Sequence, residues 1–562
     1  MKNQNAGAKA DKSPKAATVL HGIAIFINLL SLCCGIAYLI HPTPYLLWNS
    51  YGYFIFAALL ANIVSAGVGG SHRYIDYCYL LLNNLGMFMI STMNTAASSD
   101  VQNKTSQSIM ALVMFDFIFL AGAISSGFRT AGAFRDSEMK PRIQIPSGRV
   151  IKNFMRRLAL VLLFLYWPAG LFISYILLIK SIGAMIEGSI PEYAIFGGFL
   201  ILSSSVLAAK LRWRKKGSLA NKIIIASGIL FYTICLAPLA SIPSMIDNAE
   251  KAYRDAFGNS GLDEISDGEQ YGFMKTPFSM QDYFFGMRTL DYEVEENILY
   301  YEGAAGADAG IKLYFDAYAP IEGNASQPDG NSVLIRIHGG SWTMGDKGAS
   351  NYSAENKHFA SQGYSVFDIQ YGLNGGNESF VASLAPKNVK GDFDIDDMVR
   401  HIGIFTTYLA EHAGQYNANL GSVFISGSSA GGQLATALAL GITSGKYIDI
   451  LDPRLNIKGL IPFYPANGLP GNVGIGGASD LVDPISLVGE DSPPCLIYQG
   501  TRDGIVYPEY TRIFQKAYAD KSKAPCALLW MTFATHGSDA YTPGYYNQVF
   551  TYYMERFMHQ FR

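Results

Sequence analysis

Cysteine is scarce in this sequence, with six residues in 562, and this excludes a small scaffold held together by disulfides. Two of the six, Cys495 and Cys526, each follow a proline and begin a predicted strand. These two cysteines can form either a cross-strand disulfide or a pair of buried thiols. Cysteines and histidines do not show the spacing of metal ligands anywhere, so we expect no metal and no other cofactor.

A glycine loop for nucleotide binding is also lacking. The glycines of the segment 471–477 have no strand before them and no helix after them, and they predict a surface loop. We therefore expect neither a bound nucleotide nor a nucleic-acid partner. Internal repeats, which are typical of many transporters, are absent from the sequence as well.

Long apolar runs, in contrast, are abundant in the first half of the chain. Hydrophobic residues make up 49% of the sequence, and the mean hydropathy is +0.16. Seven stretches approach the ~20 residues that cross a ~30 Å hydrocarbon core. They are about 17–40, 51–70, 75–94, 106–127, 158–184, 193–209 and 222–245. These runs predict an all-α transmembrane bundle of about seven helices over residues 17–245, after a cytoplasmic tail of residues 1–16.

Charges in this half are distributed unevenly. Residues 1–245 hold 21 lysines and arginines against 8 aspartates and glutamates. Eight of the cations lie between Arg129 and Arg157 and six between Lys210 and Lys222. Because cytoplasmic loops are enriched in lysine and arginine, we expect an integral protein of the plasma membrane with a cytoplasmic N-terminus. Seven crossings then place the C-terminal half outside the cytoplasm.

One acidic residue, Asp116, interrupts the apolar run at 106–127. Since a charge inside a membrane is costly, such a residue marks either a polar packing contact or a path for an ion or substrate. A hydrogen-bonded contact with Asn83, Asn84 or another helix is the simpler interpretation, and a role in transport is the alternative.

A serine turn carries the most specific signal of the second half. The segment Gly427–Gly432 reads Gly-Ser-Ser-Ala-Gly-Gly, follows the apolar run 423–425 and precedes a helix-forming segment. A strand, a G-x-S-x-G turn and a helix hold the central serine, here Ser429, above a sheet as a nucleophile. The N–H of the next residue, Ala430, can then donate to a developing oxyanion.

A His-Gly-Gly segment at 338–340 follows another predicted strand, 332–337. Without side chains, Gly339 and Gly340 leave their backbone N–H groups accessible. These two N–H groups and that of Ala430 therefore predict an oxyanion hole.

An acid and a base follow the last two predicted strands of the chain. Asp503 comes just after the strand at 495–498, and His536 comes after the strand at 526–531. Of the nine histidines only His536 and His559 follow Asp503, and His559 lies on an amphipathic terminal helix. The order Ser429, Asp503, His536 is the order of a Ser-Asp-His triad on a strand-turn-helix scaffold.

Residues 291–562 resemble the α/β-hydrolase superfamily, most closely its hormone-sensitive-lipase-like and feruloyl-esterase-like carboxylesterases. The resemblance implies a mostly parallel sheet, covered by helices, and hydrolysis of acyl esters through a covalent acyl-enzyme. Ser341 departs from the family pattern, because many relatives carry a third glycine there. The polar, acidic residues 246–290 are predicted to tether this α/β-hydrolase domain to the helical region.

Two other functions stay open beside a membrane-anchored serine carboxylesterase. One is acyl transfer to a lipid or glycan by the same triad. The other is a membrane receptor or transport protein whose hydrolase-like domain binds a ligand without turnover. The expected partners are the lipid bilayer and a small-molecule, glycan or lipid acyl ester. An intact nucleophile, acid, base and oxyanion loop favour the esterase, because a binding domain does not need all of them.

Overall fold

The computed structural model describes residues 13–41, 46–68, 73–135, 149–212, 218–263, 265, 272–321, 330–348, 352–376 and 385–562. The chain divides into two compact units, each assembled from separate stretches of sequence. The first unit consists of Met1–Met93, Ile109–Leu178 and Ala194–Leu236. The second unit consists of Asn94–Ser108, Ile179–Tyr193 and Ala237–Arg562.

Helices make up the described part of the first unit and cover the sheet of the second. In chain order they are α1 (Ser13–Ile40), α2 (Leu46–Val68), α3 (Arg73–Ser99), α4 (Ile109–Arg135), α5 (Arg149–Leu178), α6 (Ser189–Glu192), α7 (Ala194–Leu211), α8 (Leu219–Cys235), α9 (Ala237–Ala240), α10 (Ile242–Phe257), α11 (Ser260–Asp263), α12 (Met280–Phe285), α13 (Tyr352–Ser361), α14 (Ile395–His412), α15 (Ala430–Thr443), α16 (Ser479–Val482), α17 (Pro508–Lys521) and α18 (Tyr545–Phe561).

Five of the described helices are long and apolar enough to cross a membrane, judged by length and composition. They are α1, α2, α4, α5 and α7. Helices also lie over the two other predicted stretches, but α3 carries many polar residues and the apolar helix α8 has only 17 residues. The all-helical apolar region is confirmed, and the count of seven spans is not.

The polar residues of α3 have partners on neighbouring helices of the first unit. The Asp76 carboxylate accepts from Arg129 Nε of α4 at 2.7 Å and from Lys210 Nζ of α7 at 2.6 Å, and all three side chains are buried. Because the two cations pair with one carboxylate, the free-energy cost of burying each charge is lower than it would be for that charge alone. This pairing explains a polar face on a helix that packs within an apolar bundle.

Asp116 packs against another helix, which is one of the predicted alternatives. A Cβ on Gly35 of α1 would collide with the Asp116 carboxylate and the Tyr51 hydroxyl, so the carboxylate occupies the space left by the missing side chain. Asn84 donates instead to Ser204 Oγ at 3.1 Å. Contact with another helix, rather than with Asn83 or Asn84, is thus the arrangement observed.

The second unit is built on an eight-stranded sheet in the order β1-β2-β4-β3-β7-β8-β9-β10. Its strands are β1 (Tyr292–Glu302), β2 (Lys312–Pro320), β3 (Ser332–Ile337), β4 (Ser365–Ile369), β7 (Asn419–Ser428), β8 (Ile457–Phe463), β9 (Cys495–Gly500) and β10 (Cys526–Met531), and the pair β5 (Leu373–Asn374) and β6 (Lys390–Gly391) lies apart. The strand β2 is antiparallel to both of its neighbours, and the remaining pairs are parallel. The predicted mostly parallel sheet is confirmed.

Part of the predicted tether is folded. In place of a linker over 246–290, α10 packs against the C-terminal helix α18, with the Phe257 and Phe557 ring centroids 5.1 Å apart. Met245, Ala249 and Tyr253 of α10 are buried on the same face as Phe257. Apolar residues four apart form one stripe on a helix, and burial of that stripe stabilises the helix.

Two segments between the apolar helices also belong to the second unit. In the segment 94–108, the backbone carbonyls of Ser98 and Asn103 accept from Lys357 Nζ at 3.3 and 3.1 Å. Burial lowers the pKa of Lys357 to about 8. The segment 179–193 lies beside the loops described below. The predicted boundary at residue 291 therefore does not coincide with the edge of this unit, and a fragment of residues 291–562 would lack these partners.

Candidate active site

The four sequence-predicted site segments meet at the carboxyl edge of the sheet. His338-Gly339-Gly340 follows β3, and the serine turn follows β7, the neighbouring parallel strand. Asp503 and His536 follow β9 and β10, which are also parallel neighbours. Because parallel strands end at the same edge, residues separated by up to 200 positions in sequence are brought to one site.

The serine turn is strained in the manner of a nucleophile elbow. Ser429 has φ 55° and ψ −117°, a conformation that is costly for a residue with a Cβ. The turn can form because residue 431 is a glycine. A Cβ at this position would collide with the carbonyl oxygens of Ile337 and His338. Gly431 thus lets the elbow approach the end of β3, and Ser429 stands at the start of α15.

The predicted oxyanion residues lie around this elbow. Gly339 is so close to it that a Cβ there would come within 2.8 Å of the Ser428 carbonyl oxygen. Gly340 has φ +120°, which a side chain rarely permits. Ala430 is the first residue of α15, and the first N–H groups of a helix have no partner within the helix. Gly339 and Ala430 therefore lie beside the serine turn, and Gly340 follows Gly339 directly in the chain.

His338 itself supports the loop, because its Nδ1 lies 2.8 Å from the Gly339 carbonyl oxygen. The imidazole stacks on Tyr371 with the ring centroids 4.5 Å apart, and its Nε2 bonds to Gln370 Oε1. Burial lowers the pKa of His338 and so favours the neutral ring. The structure thus gives this histidine a role in holding the Gly339–Gly340 backbone.

The imidazole of His536 bridges the other two predicted residues. Its Nε2 is 3.0 Å from Ser429 Oγ, and its Nδ1 is 2.8 Å from Asp503 Oδ2. A carboxylate only accepts hydrogen bonds, so the proton sits on Nδ1 and leaves Nε2 free to accept from the serine hydroxyl. Both His536 and Asp503 are 3% exposed, which keeps water from competing for these bonds.

The Asp503 carboxylate is oriented by the turn that follows it. Its Oδ1 accepts from the backbone N–H groups of Ile505 and Val506 at 2.9 and 2.8 Å. Its Oδ2 is thereby left to face the histidine. These two hydrogen bonds fix the direction of the carboxylate.

A buried tyrosine and two carboxyl groups lie behind His536, and the sequence offered no motif for them. Tyr464 has its ring centroid 4.6 Å from that of His536 and donates from its hydroxyl to Asp539 Oδ1 at 2.5 Å. Burial and the neighbouring Asp539 charge raise the pKa of Glu192 well above its usual range. Glu192 is thus biased toward its neutral form, which limits the negative charge buried beside the site.

The segment 179–193 contacts both loops that carry the acid and the base. The Thr535 hydroxyl donates to the Glu187 carbonyl at 2.8 Å, and a Cβ on Gly188 would lie 2.5 Å from the His536 carbonyl oxygen. A Cβ on Gly183 would lie 2.9 Å from the Gly504 carbonyl oxygen, directly after Asp503. No local pattern marks these contacts, because the segment precedes His536 by about 350 positions in the sequence.

Replacing Gly188 by alanine is expected to lower turnover by about 10- to 100-fold, because the added Cβ must displace the His536 backbone. The measurement is ester turnover per folded full-length protein. Gly414→Ala is the matched control, since its Cβ would meet nothing within 4 Å. Equal turnover in the two variants would contradict a role for Gly188 in positioning His536.

Among the described residues, no group of three or more histidine, cysteine, aspartate or glutamate side chains is arranged to hold a metal ion. Cys495 and Cys526 face each other across β9 and β10, and both are free thiols.

Comparison with known proteins bears on the same part of the chain. The BD-FAE family profile matches residues 315–464, which contain the His-Gly-Gly segment and the serine turn and end before Asp503. Probable carboxylic ester hydrolase LipM of Mycobacterium tuberculosis is 22% identical over 232 residues, or 37% of this chain and 49% of that protein. This chain thus spans about half the length of that curated relative.

Solved esterase structures are similar to the same half. Thermogutta terrifontis esterase 2, phosphonylated by cyclosarin, is 21% identical with a TM-score of 0.34 and covers 45% of this chain and 87% of that one. A truncated carbohydrate esterase from gut microbiota is 16% identical with a TM-score of 0.36 and covers 48% and 97%. The profile match identifies residues 315–464 as part of a BD-FAE domain, which is an esterase-like α/β-hydrolase, and the predicted resemblance is confirmed.

Proposed function

We propose that this protein is a membrane-anchored serine carboxylesterase that hydrolyses acyl esters through Ser429, His536 and Asp503. One observation carries the proposal: a single imidazole is hydrogen-bonded to Ser429 Oγ at 3.0 Å and to Asp503 Oδ2 at 2.8 Å. Similarity to a curated relative that is a probable carboxylic ester hydrolase supports the same reaction class.

In the first half of the reaction, His536 Nε2 takes the proton of Ser429 while the serine oxygen attacks the acyl carbonyl. Asp503 holds the Nδ1–H tautomer and stabilises the imidazolium that forms. The N–H groups of Gly339, Gly340 and Ala430 bind the oxyanion, and one such donor contributes about 3–4 kcal/mol in comparable sites. His536 then protonates the leaving alcohol, and the acyl group remains on Ser429.

In the second half, water replaces the alcohol. His536 removes a proton from the water as it attacks the acyl-enzyme, and the same N–H groups bind the second oxyanion. Collapse of this intermediate returns the proton to Ser429 and releases the carboxylic acid. Acyl transfer differs only in the acceptor, a lipid or glycan hydroxyl in place of water.

Purified full-length protein tests the proposal with a panel of nitrophenyl acyl esters and a serine-directed fluorophosphonate. We expect covalent labelling by the fluorophosphonate and release of nitrophenol from at least the short-chain esters. A protein that neither labels nor releases nitrophenol would favour a binding domain without turnover. Product analysis with added alcohols separates hydrolysis from transfer to an acceptor.

Seven crossings of a plasma membrane, with the N-terminus in the cytoplasm and the esterase outside, are part of the proposal. The segments 94–108 and 179–193 and the chain from Ala237 belong to one unit, so they share one side of the membrane. The helices α4 and α5 must then cross and return, and so must α7 and α8. The cation-rich stretches 129–157 and 210–222 fall between the members of these pairs, as the positive-inside rule requires.

This topology can be measured with single-cysteine variants in intact cells. The readout is whether a membrane-impermeant thiol reagent labels each cysteine. We expect labelling at Lys104→Cys and Asp491→Cys and protection at Lys140→Cys, in a background without the native cysteines. Labelling at Lys140→Cys together with protection at Asp491→Cys would show that the protein has the opposite orientation.

A further inference from the structure

The segment 179–193 has two chemically different sides. Its buried side, formed by Glu187, Gly188, Pro191 and Glu192, packs within the second unit against the loop of His536 and its surroundings. Its exposed side includes four large apolar side chains that are each more than half exposed: Ile179, Ile182, Met185 and Ile186. The segment thus joins the candidate active site to an apolar surface through only a few residues.

Such exposure is costly in water. Transfer of a large aliphatic side chain out of water is favourable, and loops that face water are normally polar. The segment 94–108, which also joins two helices of the apolar region, shows the usual pattern, because its exposed residues include Asp100, Gln102, Lys104 and Thr105. Of these two connecting segments, only the one that contacts the loops of Asp503 and His536 carries large exposed apolar side chains.

The neighbours of the segment in the chain indicate what covers this surface. Ile179 follows Leu178, the last residue of one candidate span, and Tyr193 precedes Ala194, the first residue of another. A bilayer crossed by both helices has its surface at both ends of the segment. From Gly188, which abuts His536, to Ala194 there are six peptide steps, which reach at most about 20 Å.

We propose that the apolar side of the segment 179–193 contacts lipid, and that the substrate is an amphiphilic acyl ester that resides in the bilayer. This inference rests on the proposed esterase function and names its substrate class. The hydrocarbon part of the ester stays among the lipids, and its carbonyl reaches Ser429, which is hydrogen-bonded to His536 beside the segment. Lys180, an exposed cation beside Ile179, is placed where it can meet anionic headgroups.

The test uses the full-length protein in phosphatidylcholine vesicles with two substrates, water-soluble nitrophenyl acetate and vesicle-borne nitrophenyl palmitate. The variant Ile182→Ser/Met185→Ser/Ile186→Ser removes the apolar side and keeps the buried side. The matched control Leu299→Ser/Ile448→Ser/Val473→Ser changes three exposed apolar residues elsewhere in the second unit. The readout is the ratio of palmitate turnover to acetate turnover.

We expect the ratio to fall by at least about tenfold in the first variant and to stay within about twofold in the control, because only the first loses its affinity for the lipid surface. Adding more phosphatidylcholine should lower palmitate turnover by dilution at the surface and leave acetate turnover unchanged. An unchanged ratio in the first variant would overturn the inference, and so would wild-type protein that hydrolyses acetate but not palmitate. Wild-type protein that hydrolyses neither would overturn the proposed esterase function itself.

Discussion

Ser429→Ala is expected to abolish both fluorophosphonate labelling and ester turnover, a loss on the order of 10⁶-fold in comparable triads. Ser429 is the residue whose Oγ faces His536 Nε2, and no other hydroxyl is held by that imidazole in the described part of the chain. Without this oxygen no acyl-enzyme can form. Expression and the melting temperature should stay near those of the wild type, because the substitution leaves the backbone turn in place.

The adjacent serine provides the matched control. The Ser428 hydroxyl accepts from Tyr352 at 2.5 Å and is buried, so it belongs to the support of the elbow. Ser428→Ala should therefore label with the probe and keep substantial turnover. Turnover by Ser429→Ala equal to that of the wild type would disprove the catalytic assignment, whatever the result for Ser428→Ala.

His536→Ala and Asp503→Asn are each expected to lower turnover by about 10³-fold or more. Alanine removes the base that accepts the Ser429 proton. The asparagine N–H can donate a hydrogen bond to Nδ1, which selects the imidazole tautomer with its proton on Nε2. In that tautomer Nε2 cannot accept from the serine hydroxyl. The measurement is kcat for nitrophenyl acetate, with His412→Ala and the exposed Asp491→Asn as matched controls.

Combining either substitution with Ser429→Ala distinguishes a triad from three separate contributions. Residues that act in one proton transfer give losses that do not add, so the double variants should be no slower than Ser429→Ala alone. Additive losses would mean that His536 or Asp503 acts elsewhere in the reaction.

The sequence by itself determined the candidate residues and the type of fold that carries them. Strand ends are local signals, so the Gly427–Gly432 turn, Asp503 and His536 could each be placed after a strand before their contacts were known. In parallel sheets these strand ends share one edge, and the predicted residues do meet there. Apolar runs of spanning length are local signals of the same kind, and helices lie over all seven of them.

Other features depend on partners far away in the chain, and only the tertiary structure decided them. The polar residues of α3 weaken its apolar pattern, and their role is visible only with Arg129 and Lys210 around Asp76. The helix α10 was predicted as part of a tether because its stability comes from packing on α18. The segment 179–193 has no motif either, since its contact with His536 needs only a glycine and a backbone carbonyl. Composition and spacing cannot reveal such contacts, because the partners lie far apart in the sequence and only the fold brings them together.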